Sequence, residues 1–96
     1  MKLKIEGSEI MNDNIASELM EIIKNVLKEF KPDVRVSLED DLKSLGINSL
    51  TFIKIAVTAE SQFGIEFGEN DLNFMKFNKV IDLEAYIENR LKDSSN

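Results

Sequence analysis

The sequence predicts an all-α fold: a small four-helix bundle, three main helices plus one short helix, with a long loop between helices one and two. Three observations predict it. Apolar residues recur at spacings of three and four in three separate segments, the mark of helices with one buried face. A single Pro and four Gly are too few for a turn-rich sandwich or a flexible linker. The alternating stretch "KLKIE" near the start is an isolated strand pattern with nothing obvious to pair with.

Taken in order, residues 1–11 read as a partly ordered N-terminal extension. Helix one begins near Asn12, with Asn12 and Asp13 as N-caps whose side chains can accept from first-turn amides. Ile15, Leu19, Ile22, Ile23, Val26 and Phe30 form its stripe. Pro32 stops it, because the residue before a proline is driven out of the α region. Residues 31–48 form the long loop. Val34, Val36, Leu38, Leu42, Leu45 and Ile47 are spaced along it as anchors to a core, and residues 38–44 can make a turn of their own. Helix two runs from Ser49 to Phe63, and Gly64 stands where a left-handed cap is wanted. A short helix falls near Glu69–Met75. Asn78 is placed to cap the last helix, with Val80, Leu83, Ile87 and Leu91 on one face. The body is a single domain over 12–91, and 92–96 is a frayed tail.

Composition narrows the chemistry. The chain has 96 residues and neither Cys nor His, so it has no thiolate, no imidazole base and no Cys- or His-ligated metal. It reads as a non-enzyme with no catalytic residues. The net charge of −6 repels phosphate backbones and anionic lipid, which disfavours nucleic acid and membrane surfaces. No apolar run is long enough to span a bilayer, and the start lacks the apolar core of a secretory signal, so the expected location is cytoplasmic. A calcium site fails on spacing. A loop starting at Asp41 puts Lys43 and Leu45 at ligand positions and Phe52 where the bidentate Glu belongs, and one starting at Glu66 puts Gly68 at a ligand position. Asp40 and Asp41 read as a solvated charge pair rather than an acid–base couple.

Helix two has an unusual wheel. Phe52, Ile55, Ala56, Ala59 and Phe63 fall within an arc of about 100°, the core stripe. Leu50, Ile53 and Val57 form a second apolar stripe on the other side of Ser49 and Glu60. Either the long loop folds over this second stripe, or it is a docking surface beside Ser49. Ser49 by itself reads as the first residue of a helix capped by Asn48.

The run "DDLKSLGINSL" followed by "AESQFGIEF" resembles the acyl and peptidyl carrier proteins over roughly residues 12–91. That family has a first helix, a long loop ending in a Leu-Gly-Ile-type approach, Asp-Ser-Leu opening helix two, then an acidic residue and a Phe-Gly-Ile-type close. The resemblance implies a covalent 4′-phosphopantetheine on Ser49, attached by a phosphopantetheinyl transferase from CoA with Mg²⁺. Asn48 serves there as helix cap and transferase recognition residue. The implied function is to carry acyl, polyketide or aminoacyl intermediates as thioesters. The implied partners are an acyl- or aminoacyl-loading ligase and synthase or transferase enzymes, docking through Leu50, Ile53, Lys54 and Val57; the carrier itself is a monomer. A borrowed thiol accounts for a chain without Cys or His.

Two departures from the family pattern stand out. Asn48 occupies the position where Asp is usual; it caps as well but removes a charge. Helix two carries only Lys54 and Glu60 as charges, whereas fatty acid carriers have a strongly acidic helix two. That favours a specialised polyketide or nonribosomal peptide pathway over housekeeping fatty acid biosynthesis. The alternative is an unmodified helical protein-interaction module that uses the patch around Leu50.

Overall fold

A computed structural model describes the chain over residues 3–94, with side chains described from Ile15 to Lys92. Helix α1 spans Leu3–Leu27, α2 spans Ser49–Phe63 and α3 spans Val80–Ser94. Between α2 and α3 lie two single-turn 3₁₀ segments, Glu69–Asp71 and Phe74–Lys76. Helix α1 packs against both α2 and α3. The only ladder pairing among the described residues is an isolated antiparallel bridge between Asp41 and Lys79, so the all-α class holds.

The first helix corrects the sequence reading at both ends. It starts at Leu3, so residues 3–11 are helical, and Asn12 and Asp13 sit inside the helix instead of capping it. A helix already nucleated by buried side chains adds one hydrogen bond per residue, so it can run past its last anchored turn without a cap. At the other end, the Leu27 carbonyl accepts from both Phe30 N–H (3.0 Å) and Lys31 N–H (2.8 Å). This closes the helix ahead of Pro32. Phe30 therefore leaves the stripe and is exposed.

The loop behaves as an anchored segment. Leu42, Leu45 and Ile47 are buried, and Val34, Val36 and Leu38 pack against the core. Its backbone is stitched to the start of α3. Leu42 N–H donates to Asn78 O (2.9 Å), Val80 N–H to Asp40 O (3.0 Å) and Ile81 N–H to Leu38 O (2.9 Å). The short turn falls at 42–46, slightly later than the expected 38–44. It ends at Gly46, whose φ of +88° only glycine adopts without strain.

Burial of Ile15, Leu19, Ile22, Ile23 and Leu27 against Phe52, Ile55, Ala56, Ala59, Leu83 and Ile87 makes the centre of the core. Phe52 is fully buried and anchors an aromatic cluster. Its ring stacks on Phe77 at 5.5 Å and meets Phe67 edge-on at 6.4 Å and Phe74 at 6.1 Å. Tyr86 of α3 closes the group against Phe67 and Phe77. The expected short helix splits in two because Leu72 and Asn73 leave helical geometry and the Asn73 side chain caps the second turn at Met75. Capping of α3 also differs. Asp82, not Asn78, supplies the side chain, with Oδ2 accepting from the amides of Asn78 (3.1 Å) and Lys79 (3.0 Å). A carboxylate at the third helical position reaches back to the N-terminus as in one half of a capping box.

Candidate functional site

Helix α2 starts as its sequence requires. Asn48 is extended (φ −117°, ψ −173°), and its Oδ1 accepts from Thr51 N–H at 2.9 Å. Its carbonyl accepts from Phe52 N–H at 2.8 Å, the first bond of the helix. Ser49 is the first helical residue and is exposed. Helix geometry leaves the earliest amides without intrahelical acceptors. Asn48 takes that of Thr51, and the amides of Ser49 and Leu50 stand at the positive end of the dipole. The first turn holds no acidic side chain to offset that end. The head of α2 therefore suits a phosphate esterified to a hydroxyl there.

The approach to Ser49 is held from below. Leu45 and Ile47 are buried on either side of Gly46. The Lys31 ammonium donates to Leu45 O at 2.9 Å, tying this stretch to the end of α1. Nothing in the local sequence marks Lys31 for that task; the pairing depends on where α1 ends. At the far end of α2, Gly64 is left-handed (φ +71°) and donates to Glu60 O at 2.9 Å. The expected bounds of α2 are met at both ends.

The second apolar stripe is not covered by the loop. The loop's apolar anchors enter the core and its backbone binds the start of α3. Leu50 is 69% exposed and Val57 51% exposed. Ile53 is half-buried and Lys54 exposed. Ser49, Leu50, Ile53, Lys54 and Val57 therefore share one accessible region from the head of α2 along its length. Core and surface stripes separate as the wheel predicts: Phe52, Ile55, Ala56 and Ala59 are buried, with Phe63 partly so.

Two features lay beyond the sequence reading. A groove of about 540 Å³ runs between α1 and α2, with Ile22, Val26, Ile53 and Val57 among its walls. It requires two helices in register, which neither wheel reports alone. The other is a polar network at the first 3₁₀ turn. Tyr86 O–H donates to Asp71 Oδ2 (2.9 Å) and accepts from Gly68 N–H (3.1 Å), and Lys76 Nζ donates to Asp71 Oδ1 (2.8 Å). The Lys76 and Tyr86 hydrogen bonds, in that order, hold the Asp71 carboxyl below the ordinary aspartate value. Burial, ahead of its charged neighbours, raises the Tyr86 phenol. Arg90 Nε donates to Glu66 O at 2.9 Å beside it. These groups pin the segment after α2 and lie apart from Ser49 in the chain. Among the described residues no three acidic side chains gather to hold a metal ion, and no helix is long and apolar enough to cross a membrane.

Comparison with known proteins bears on the same architecture. A crystal structure of an acyl carrier protein from Thermotoga maritima superposes with a TM-score of 0.66 at 22% identity, covering 82% of this chain and 93% of that one. At that identity the likeness establishes the fold. No curated protein matches the sequence. The family model described as "Phosphopantetheine attachment site" matches residues 17–87, from within α1 to within α3. By that match the chain belongs to the phosphopantetheine-attachment family: it is a carrier that bears 4′-phosphopantetheine covalently, and not an enzyme.

Proposed function

We propose that Ser49 is the attachment residue and that the chain carries acyl, polyketide or aminoacyl intermediates as thioesters in the cytoplasm. The observation that carries this reading is the head of α2, where an exposed hydroxyl stands on the first helical residue beside unpaired amides and no acidic side chain. Once attached, the group supplies the thiol that holds the cargo. The chain's own residues do the rest. Asn48 keeps the helix start formed, the Gly46 turn delivers Ser49 to the surface, and Leu50, Ile53, Lys54 and Val57 offer a docking face to a transferase, a loading ligase and a synthase.

The charge of α2 supports a specialised pathway over housekeeping fatty acid synthesis. Glu60 is its sole carboxylate, and that group is spent on the fold, accepting from Phe67 N–H at 2.8 Å. Lys54 is the charge left to a partner, so basic docking sites meet no acidic helix here. The apolar patch taken alone would also fit an unmodified interaction module, which the family match disfavours, and one experiment tests attachment at Ser49. The purified chain and Ser49→Ala are incubated with CoA, Mg²⁺ and a broad-specificity phosphopantetheinyl transferase, and intact masses are read. Gain of one phosphopantetheine by the native chain alone supports the carrier reading at Ser49. No gain, with a control carrier modified in the same mixture, favours the interaction module; equal gain in both chains moves the attachment elsewhere.

A further inference from the structure

We propose that the face around Ser49 takes its partners through acidic surfaces, the reverse of what the net charge of the chain favours; the inference deepens the docking role given above and rests on it. The chain is acidic overall, with 18 Asp and Glu residues and a net charge of −6. Yet residues 42–59, from the loop through most of α2, hold Lys43 and Lys54 and no carboxylate. Lys31 joins them through the fold. Its ammonium donates to Leu45 O at 2.9 Å and would lie 2.8 Å from a methyl at Gly46, which puts it within about 15 Å of Ser49. Lys43 belongs to the same turn, its carbonyl accepting from Gly46 N–H at 3.0 Å. Lys54 follows on α2, about 7.5 Å beyond Ser49 along the helix axis. All three lysines are exposed.

Their charge is left to a partner. Lys31, Lys43 and Lys54 take part in no ion pair among the described residues, whereas Lys24 pairs with Glu21 and Lys76 with Asp71. Several carboxylates near this region are committed to backbone amides. Asp40 accepts from Ser37 N–H (2.8 Å), Glu60 from Phe67 N–H (2.8 Å) and Asp82 from the amides of Asn78 and Lys79. Asp41 is opposite Lys79 in the backbone bridge, where cross-strand neighbours offset one another. Glu29 stands on the α1 wall of the groove that Lys54 lines from α2 and bounds the positive region there. A phosphodiester on Ser49 brings one negative charge against three lysines.

The helix wheel says how an acidic partner would sit. Leu50, Ile53 and Val57 are flanked by Ser49 on one edge and by Lys54 on the other. Leu50 and Val57 are exposed. An apolar ridge laid on this stripe brings a flanking carboxylate onto the Lys54 ammonium while its other edge meets Ser49. One ion pair then fixes which way round the partner docks. A basic partner would instead press like charges against Lys43 and Lys54. Screening decides between the net charge and the local one. Charges more than about 8 Å away are damped at physiological salt, so the distant carboxylates fade and the lysines at the contact dominate.

The test titrates two synthetic amphipathic helices into the full chain and follows amide and methyl NMR shifts. The helices share one leucine ridge, flanked in the first by glutamates and in the second by lysines. The expected result is shifts at Leu50, Ile53, Lys54 and Val57 with the glutamate helix. It should bind about tenfold more tightly than the lysine helix, because surface ion pairs each contribute a few-fold and are exchanged for repulsion. Raising the salt to about 0.5 M should bring that ratio towards one. Lys54→Gln should narrow the ratio, and Lys54→Arg should keep it. Lys43→Glu combined with Lys54→Glu should reverse it, with an unchanged circular dichroism spectrum. Equal binding, preference for the lysine helix, shifts centred away from α2, or no shifts with either helix would overturn the proposal. A DNA duplex or anionic vesicles that shift the same residues as strongly as the glutamate helix would make this a general polyanion site and equally overturn it. The helices probe this face in the unmodified chain and in Ser49→Ala, while intact mass reports attachment, so the two readings fail independently.

Discussion

Two substitutions on the same helix, two residues apart, should differ several-fold in their effect on stability. Phe52 is fully buried, stacked on Phe77 and in contact with the rings of Phe67 and Phe74. Truncating a buried phenylalanine costs about 3–5 kcal/mol, and each lost ring pair accounts for about 0.5–1.5 kcal/mol of such a total. Three ring partners put Phe52→Ala at the upper half of the range, about 4 kcal/mol. Leu50, 69% exposed in the folded chain, has little burial to lose, and Leu50→Ala should cost well under about 1 kcal/mol. Total stability for a domain of this length is about 5–15 kcal/mol. In urea, with a slope of about 1.5 kcal/mol per M, the Phe52 variant's midpoint should fall by about 2–3 M and the Leu50 variant's by less than about 0.7 M. Far-UV circular dichroism reads both. The Leu50 variant should keep the fold yet lose turnover with partner enzymes. A Leu50→Ala midpoint that drops as far as that of Phe52→Ala would refute the division of α2 into a core face and a free face.

Asn48→Ala should cost about 1 kcal/mol through loss of the cap to Thr51 N–H, while Asn48→Asp should stay within a few tenths of the native value; thermal melts check both. Gly46→Ala should destabilise more than Gly64→Ala. Both positions have positive φ, but a methyl at Gly46 would sit 2.8 Å from Lys31 Nζ, so that side chain must swing away and give up its bond to Leu45 O, whereas Gly64 has open space around it. Asp71 has a lowered pKa in the folded state, so its contribution is present above the ordinary aspartate value and lost as pH falls through the lowered one. Asp71→Asn should therefore melt below the native chain at neutral pH, with the gap closing in strong acid; a gap independent of pH would contradict the sign.

Helix α2 was legible because both of its ends are local events. Asn48 and Gly64 act within one turn of themselves, and the separation of Phe52 and Ala56 from Leu50 and Val57 is a property of the wheel alone. The loop anchors Leu42, Leu45 and Ile47 were legible as an apolar pattern, but their seat against α3 was not, since it rests on backbone pairing at Asp41 and Lys79 that no side chain advertises. The start of α1 was misread because "KLKIE" alternates and because Asn12 and Asp13 are good caps wherever a helix happens to begin. Phe30 misled in the opposite sense: it fits the stripe by spacing, yet the Leu27 carbonyl ends the helix first. The α1–α2 groove and the Lys31 tie involve residues distant in the chain and silent in local pattern. Asp71 and Tyr86 were passed over for the same reason.

The bridge between Asp41 and Lys79 also bears on the order in which this molecule assembles and opens. The two residues are about forty positions apart in the chain, so pairing them carries a closure entropy of about 3 kcal/mol. Helix α2 and its cap meet no such requirement. The head of α2 can thus be in place while the seam to α3 is still unmade, and in the native state the seam should part before the helix does. Leu42, Val80 and Ile81, whose amides donate across it, should exchange hydrogen as one unit and ahead of the amides in the middle of α2. The head of the helix that carries Ser49 would then remain formed through the commonest opening of the protein.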